Sequence, residues 1–197
     1  YAVRAGTGLA VFLVCRPWRW YEPIKIKQLP AAFGVGVLVW AIWVLPEVKW
    51  GESYPFIQQL YLRFGILPLG RIPEAEAPFI YAPEVCGWAL SLVRLAGSAF
   101  IIALIEEFFW RGFLYRWIMD REFLRVKLAE FDWEAFLIVA VVFGFEHNRW
   151  LAGILAGIAY ALLMIRTRNI WSACIAHVVT NFLLGLYVLA TASYAFW

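Results

Sequence analysis

Leu104-Ile105-Glu106-Glu107-Phe108-Phe109-Trp110-Arg111-Gly112-Phe113-Leu114-Tyr115-Arg116 is the stretch whose reading decides the fold. Two adjacent carboxylates and an arginine stand there, preceded by residues 95–105, which carry no charge at all. An ionisable side chain placed at membrane depth costs about 2.5–3.5 kcal/mol on insertion, so acids kept there point to function. Along a helix Glu107 and Arg111 are i, i+4 with the acid first, the favoured order for an ion pair. Glu106 is rotated by about 100° from its neighbour and is left without that partner.

The whole chain shares the apolar character of this stretch. Of its 197 residues 64% are hydrophobic and 16% charged, with a mean hydropathy of +0.73. Soluble domains run at about 45–50% apolar and about 25% charged residues, so the chain lies outside that class. At about 20 residues per crossing, the expected fold is all-α, a polytopic transmembrane helical bundle of about six spans (five to eight) in one domain, residues 1–197. Twelve Trp and nine Tyr suit anchoring at the headgroup level. A net charge of +3, scattered along the chain, argues against nucleic acid as a partner. Cys15, Cys86 and Cys174 are odd in number and widely spaced, and they read as small core residues rather than a disulfide framework. No cleavable signal pattern is evident and position 1 is Tyr, so the first helix is expected to begin earlier.

Residues 5–15 are uncharged but too short to span unless extended through Arg4. Residues 16–27 mix cations with Trp and Tyr, as a juxtamembrane segment does. Residues 28–46 form a clear span. Residues 47–84 are rich in Pro and Gly, with 54–69 an interfacial helix. A helical pattern then runs from Val85 to about Met119, long enough to cross and emerge. Residues 120–134 read as a loop or surface helix, 135–145 as a shorter span, 150–165 as the next, and 169–197 as the last. Gly153 and Gly157 give the fifth a small-xxx-small spacing that lets helix backbones approach closely. Segments 16–27, 116–127 and 166–168 fall on one side of a six-span chain and hold ten Lys and Arg, against five on the other. The positive-inside rule places that side in the cytoplasm.

The only two histidines both fall in or at the end of apolar segments. His177 and Asn181 are i, i+4 and share a helix face. Counted at 1.5 Å per residue, Glu106 lies about 15–20 Å deep, His177 and Asn181 about 12–20 Å, and His147 about 15–21 Å. Three helices thus bring Glu, His, His and Asn to one level. Arg94 leaves two readings open, a pairing with a buried acid or a reach to the surface. Glu146 and Asn148 read as interfacial capping residues, and Phe143 as a packing partner for the helix of His147.

Glu106-Glu107-Phe-Phe-Trp-Arg111 resembles the EExxxR motif of the CPBP intramembrane proteases, the group that contains the type II CAAX prenyl endopeptidases and the Abi proteins. Phe143-Gly-Phe-Glu-His147 resembles their FxxxH motif and His177-Val-Val-Thr-Asn181 their HxxxN motif. The three occur in the family's order, across a core of about residues 85–189. The resemblance implies a glutamate-dependent endopeptidase in a multi-pass protein of the cell (plasma) membrane, acting on a membrane-associated protein or lipidated peptide. Glu106 is expected as general base, His147 as the group that helps to hold and polarise the water, and His177 with Asn181 as oxyanion donors. Glu107 and Arg111 are expected as the supporting pair. No cofactor is required on this reading. Zinc held by Glu106, His147 and His177 is the competing chemistry, although no HExxH is present. A non-catalytic adaptor or immunity protein on the same scaffold would have lost a motif residue, and none is missing. A proton-relaying transporter would show inverted repeats, and none is evident. Substrate identity, sidedness of the site and oligomeric state stay open.

Overall fold

The computed structural model describes residues 1–67, 69 and 79–197. Seven helices account for most of them: α1 (Ala2–Cys15), α2 (Leu29–Val44), α3 (Pro55–Phe64), α4 (Pro83–Met119), α5 (Trp133–Phe145), α6 (Trp150–Thr167) and α7 (Ile170–Thr191). Four segments are long and apolar enough to cross a membrane: Ile26–Glu47, which contains α2, then α4, α6 and α7. α1 and α5 are shorter apolar helices. Their outward side chains, including Phe33, Leu38, Leu137, Val141 and Leu155, are exposed and apolar, as a lipid-facing surface requires. The chain is an integral, multi-pass membrane protein.

The chain alternates between two faces. On the face that carries the cationic segments, Gln28 donates to Thr167 O (2.8 Å) and Asn169 to Pro23 O (3.0 Å). On the opposite face Arg149 forms a bidentate pair with Glu47 at 2.6 and 2.7 Å and donates to Ala195 O. The start of α2, the end of α6 and the start of α7 thus meet on one face, and the end of α2 and the start of α6 on the other.

Two close approaches set the packing. A β-carbon on Gly36 of α2 would lie 2.6 Å from Ala176 O of α7. On the α5–α6 hairpin Gly153 backs onto Gly144 and Gly157 onto Ala140, which realises the small-xxx-small spacing.

Several boundaries differ from the sequence reading. α1 runs through Arg4, as its length demanded. Residues 120–132 hold a short 3-10 turn, Phe123–Arg125, and no longer helix, and α5 starts at Trp133, where Asp132 caps it by accepting from Ala135 N at 2.8 Å. The interfacial helix is confined to Pro55–Phe64, with Tyr61 buried and Phe56, Ile57 and Leu60 exposed. Arg71, Glu74 and Glu76 lie outside the described residues. The last span ends at Thr191. Ala192 takes a left-handed conformation (φ 54), and Tyr194–Phe196 fold back over the bundle end. Only Cys174 is a core cysteine, since Cys15 is exposed and Cys86 half-buried.

Gly36→Ala should therefore lower stability by about 1–3 kcal/mol through overpacking against backbone. Gly34→Ala, with nothing within 4 Å of the added carbon, should change it by less than about 0.5 kcal/mol. Unfolding of the two purified variants in detergent checks the contrast.

Candidate active site

α4 is not a uniform helix. Gly97–Ile102 and Phe108–Leu114 form widened π-type turns, and Ala103–Glu107 is a short α-helical piece between them. Such turns recur at functional sites because they re-aim side chains that a regular helix would stack. Glu106 and Glu107 both sit on the piece so bracketed.

Glu107 is fully buried. Its Oε1 accepts from Arg111 Nη1 at 3.0 Å and from His177 Nδ1 at 2.9 Å. Arg111, also fully buried, donates through Nη2 to Gly157 O at 3.2 Å and lies over the Phe143 ring at 4.3 Å. The expected ion pair therefore forms, and it does more than steady its neighbour: it holds a histidine of another helix.

His177 is flanked by both acids. Its Nε2 lies 3.7 Å from Glu106 Oε2. Its ring stacks on Tyr160 at 4.9 Å and meets the edge of Phe143 at 5.9 Å. Tyr160 donates to Thr180 Oγ1 at 2.8 Å, and that hydroxyl lies 2.9 Å from Gly36 O. Because a carboxylate only accepts, the Nδ1 of His177 carries the proton of the bond to Glu107. Glu106 keeps a quarter of its side chain exposed (26%), in contrast to its neighbour.

His147 follows α5 and turns back onto it, with Nδ1 3.0 Å from Phe143 O and its ring 5.2 Å from Trp43. A carbonyl also only accepts, so Nδ1 is the donor and Nε2 is left as an acceptor. Burial pushes His147 below its ordinary value, with smaller contributions from nearby His177 and Arg111, so the neutral ring is favoured. Asn181 donates through Nδ2 to Ser98 O at 3.2 Å, in the first widened turn of α4.

His147, His177 and Asn181 line a cavity of about 160 Å³ whose wall also includes Tyr160, Trp43 and Arg94. It shares Trp43, His147, Phe196 and Trp197 with a second cavity of about 250 Å³ on the face of Arg149. Glu106 meets the site through His177, and no hydrogen bond or ion pair joins it to His147. Arg94 takes neither expected course, because its guanidinium lies over the rings of Tyr1, Tyr81 and Trp197 at 4.7–5.3 Å. Burial raises the pKa of Glu146, against smaller opposing effects of nearby Trp110 and Arg111. Among the described residues no group of three His, Cys, Asp or Glu side chains is placed to hold a metal ion.

Tyr160, Trp43 and Ser98 were not singled out in the sequence. Tyr160 had a signal, since Gly153, Gly157 and Tyr160 follow at helical spacing on one face of α6. Trp43 and Ser98 had none.

Comparison with known proteins finds a family match over part of the chain. The family model described as Type II CAAX prenyl endopeptidase Rce1-like matches residues 88–183, the interval that contains every group of the site from Arg94 to Asn181. Residues 88–183 are similar to an Rce1-like domain. No curated protein and no solved structure matches the chain. The Rce1-like domain supports a protease-type function in a membrane setting.

Breaking a buried pair leaves a charge without compensation, at a cost of about 3–5 kcal/mol. Glu107→Ala should therefore unfold at markedly lower denaturant or temperature than wild type. Glu106→Ala, which removes a partly exposed side chain with a single distant partner, should change stability by no more than about 1 kcal/mol.

Proposed function

We propose that the protein is an intramembrane endopeptidase that cleaves a peptide bond of a membrane-associated protein or lipidated peptide without a metal ion. The observation that carries this reading is His177, which lines one cavity with His147 and Asn181 while Glu107 Oε1 lies 2.9 Å from its Nδ1 and Glu106 Oε2 3.7 Å from its Nε2.

In this reading Glu106 is the general base. It takes a proton as the water oxygen attacks the scissile carbonyl carbon. His147 accepts a hydrogen bond from the same water through Nε2. Negative charge then develops on the carbonyl oxygen, where Asn181, through its second Nδ2 hydrogen, and His177 stabilise it. Collapse breaks the C–N bond, and the proton held by Glu106 passes to the leaving amine. Glu107 and Arg111 keep the His177 ring in place throughout. The name of the matched family suggests prenylated C-terminal peptides as one substrate class for trial.

The test is cleavage of a panel of membrane peptides, prenylated and not, by purified protein in liposomes. Loss of the base should reduce the rate of Glu106→Ala at least about 10²-fold. Unchanged cleavage by that variant would sink the mechanism. Metal analysis of the active preparation should find no stoichiometric zinc, and a one-to-one zinc content that chelation removes together with activity would contradict the metal-free chemistry.

A further inference from the structure

The cationic face carries a cavity that the proteolytic reading does not use. It has a volume of about 530 Å³ and is lined by Arg116, Arg125, Lys127 and Arg168 with Trp20 and Tyr21. Its walls come from the link between α1 and α2, the end of α4 with the loop after it, and the end of α6.

Arg116 is the unusual member. It is only 5% exposed. Its guanidinium donates to Val126 O at 2.9 Å, Tyr21 Oη at 3.1 Å, Gly112 O at 3.2 Å and Leu124 O at 3.1 Å. All four acceptors are neutral, and among the described residues no carboxylate pairs with it. Its hydrogen bonds are met, but its charge is not offset, and a buried charge without a counter-ion is costly. Lys127 and Arg168 are exposed and also have no ion-pair partner among the described residues. Arg125 is engaged by Glu122 at 2.6 Å. The one acid at the rim, Glu22, is largely exposed and pairs with Lys25 at 3.2 Å.

We propose that this cavity binds the phosphate of an anionic phospholipid in the leaflet on the cationic face. A phosphate brings the negative charge that Arg116 lacks and several acceptor oxygens for Lys127 and Arg168. The setting favours a lipid over a free ion: the cavity lies at the ends of membrane spans, beside an exposed Trp20 and Leu124 that can meet glycerol and acyl carbons. Its residues are separate from those of the proteolytic site, so the two readings stand or fall apart.

The test uses the full chain purified in neutral detergent, with phosphatidylglycerol, phosphatidylcholine or inorganic phosphate added, read by native mass spectrometry and thermal unfolding. Wild type should retain phosphatidylglycerol and unfold at a higher temperature with it, while phosphatidylcholine has no such effect. Each cation near a charged lipid is worth about fivefold in affinity, so Lys127→Gln/Arg168→Gln should bind phosphatidylglycerol about 25-fold more weakly. Lys27→Gln/Arg166→Gln, exposed on the same face but outside the cavity, should bind as wild type does. Equal binding of phosphatidylcholine, equal stabilisation by inorganic phosphate, or an equal loss in the two double variants would overturn the proposal.

Discussion

One carboxylate oxygen, Oε1 of Glu107, accepts from both Arg111 and His177 in a fully buried position, and the functional half of the molecule is arranged around it. Through Arg111 the same oxygen is tied to Gly157 O of α6, and through His177 to α7. Three helices are thereby fixed to each other in rotation as well as in distance, which apolar packing alone does poorly because lipid competes for the same contacts. Phe143 and Tyr160 complete the setting by covering the guanidinium and the imidazole with aromatic faces.

The neighbouring acids separate by environment. Their positions on the helix differ by about 100°, so one points into the protein while the other keeps partial access to solvent. The widened turns before and after Ala103–Glu107 frame that separation. His177 then lies between the two, with its tautomer set by the buried one. Adjacent residues of identical chemistry are thus given different surroundings.

Much of this was legible in the chain itself. The apolar runs and their cationic ends located the spans, and the i, i+4 spacings of Glu107–Arg111 and His177–Asn181 put each pair on one face. What spacing within a helix cannot convey is which neighbour that face meets. The contact of Glu107 with His177 crosses 70 positions, and the Arg149–Glu47 pair crosses 102. The stacking of Tyr160 on His177 depends on the approach of α6 permitted by its glycines. The return of Tyr194–Phe196 depends on a left-handed Ala192, a conformation that no residue type there announces. The aromatic enclosure of Arg94 draws on Tyr1, Tyr81 and Trp197, from three separate parts of the chain.

The chain has two histidines, so nitrogen NMR of ¹⁵N-histidine-labelled protein in bilayers can resolve each ring. The bond from His177 Nδ1–H to Glu107 predicts a protonated, strongly hydrogen-bonded Nδ1 on that ring, displaced in Glu107→Gln while the His147 signals stay in place. A His177 ring with an unprotonated Nδ1, or one that does not respond to Glu107→Gln, would contradict the account.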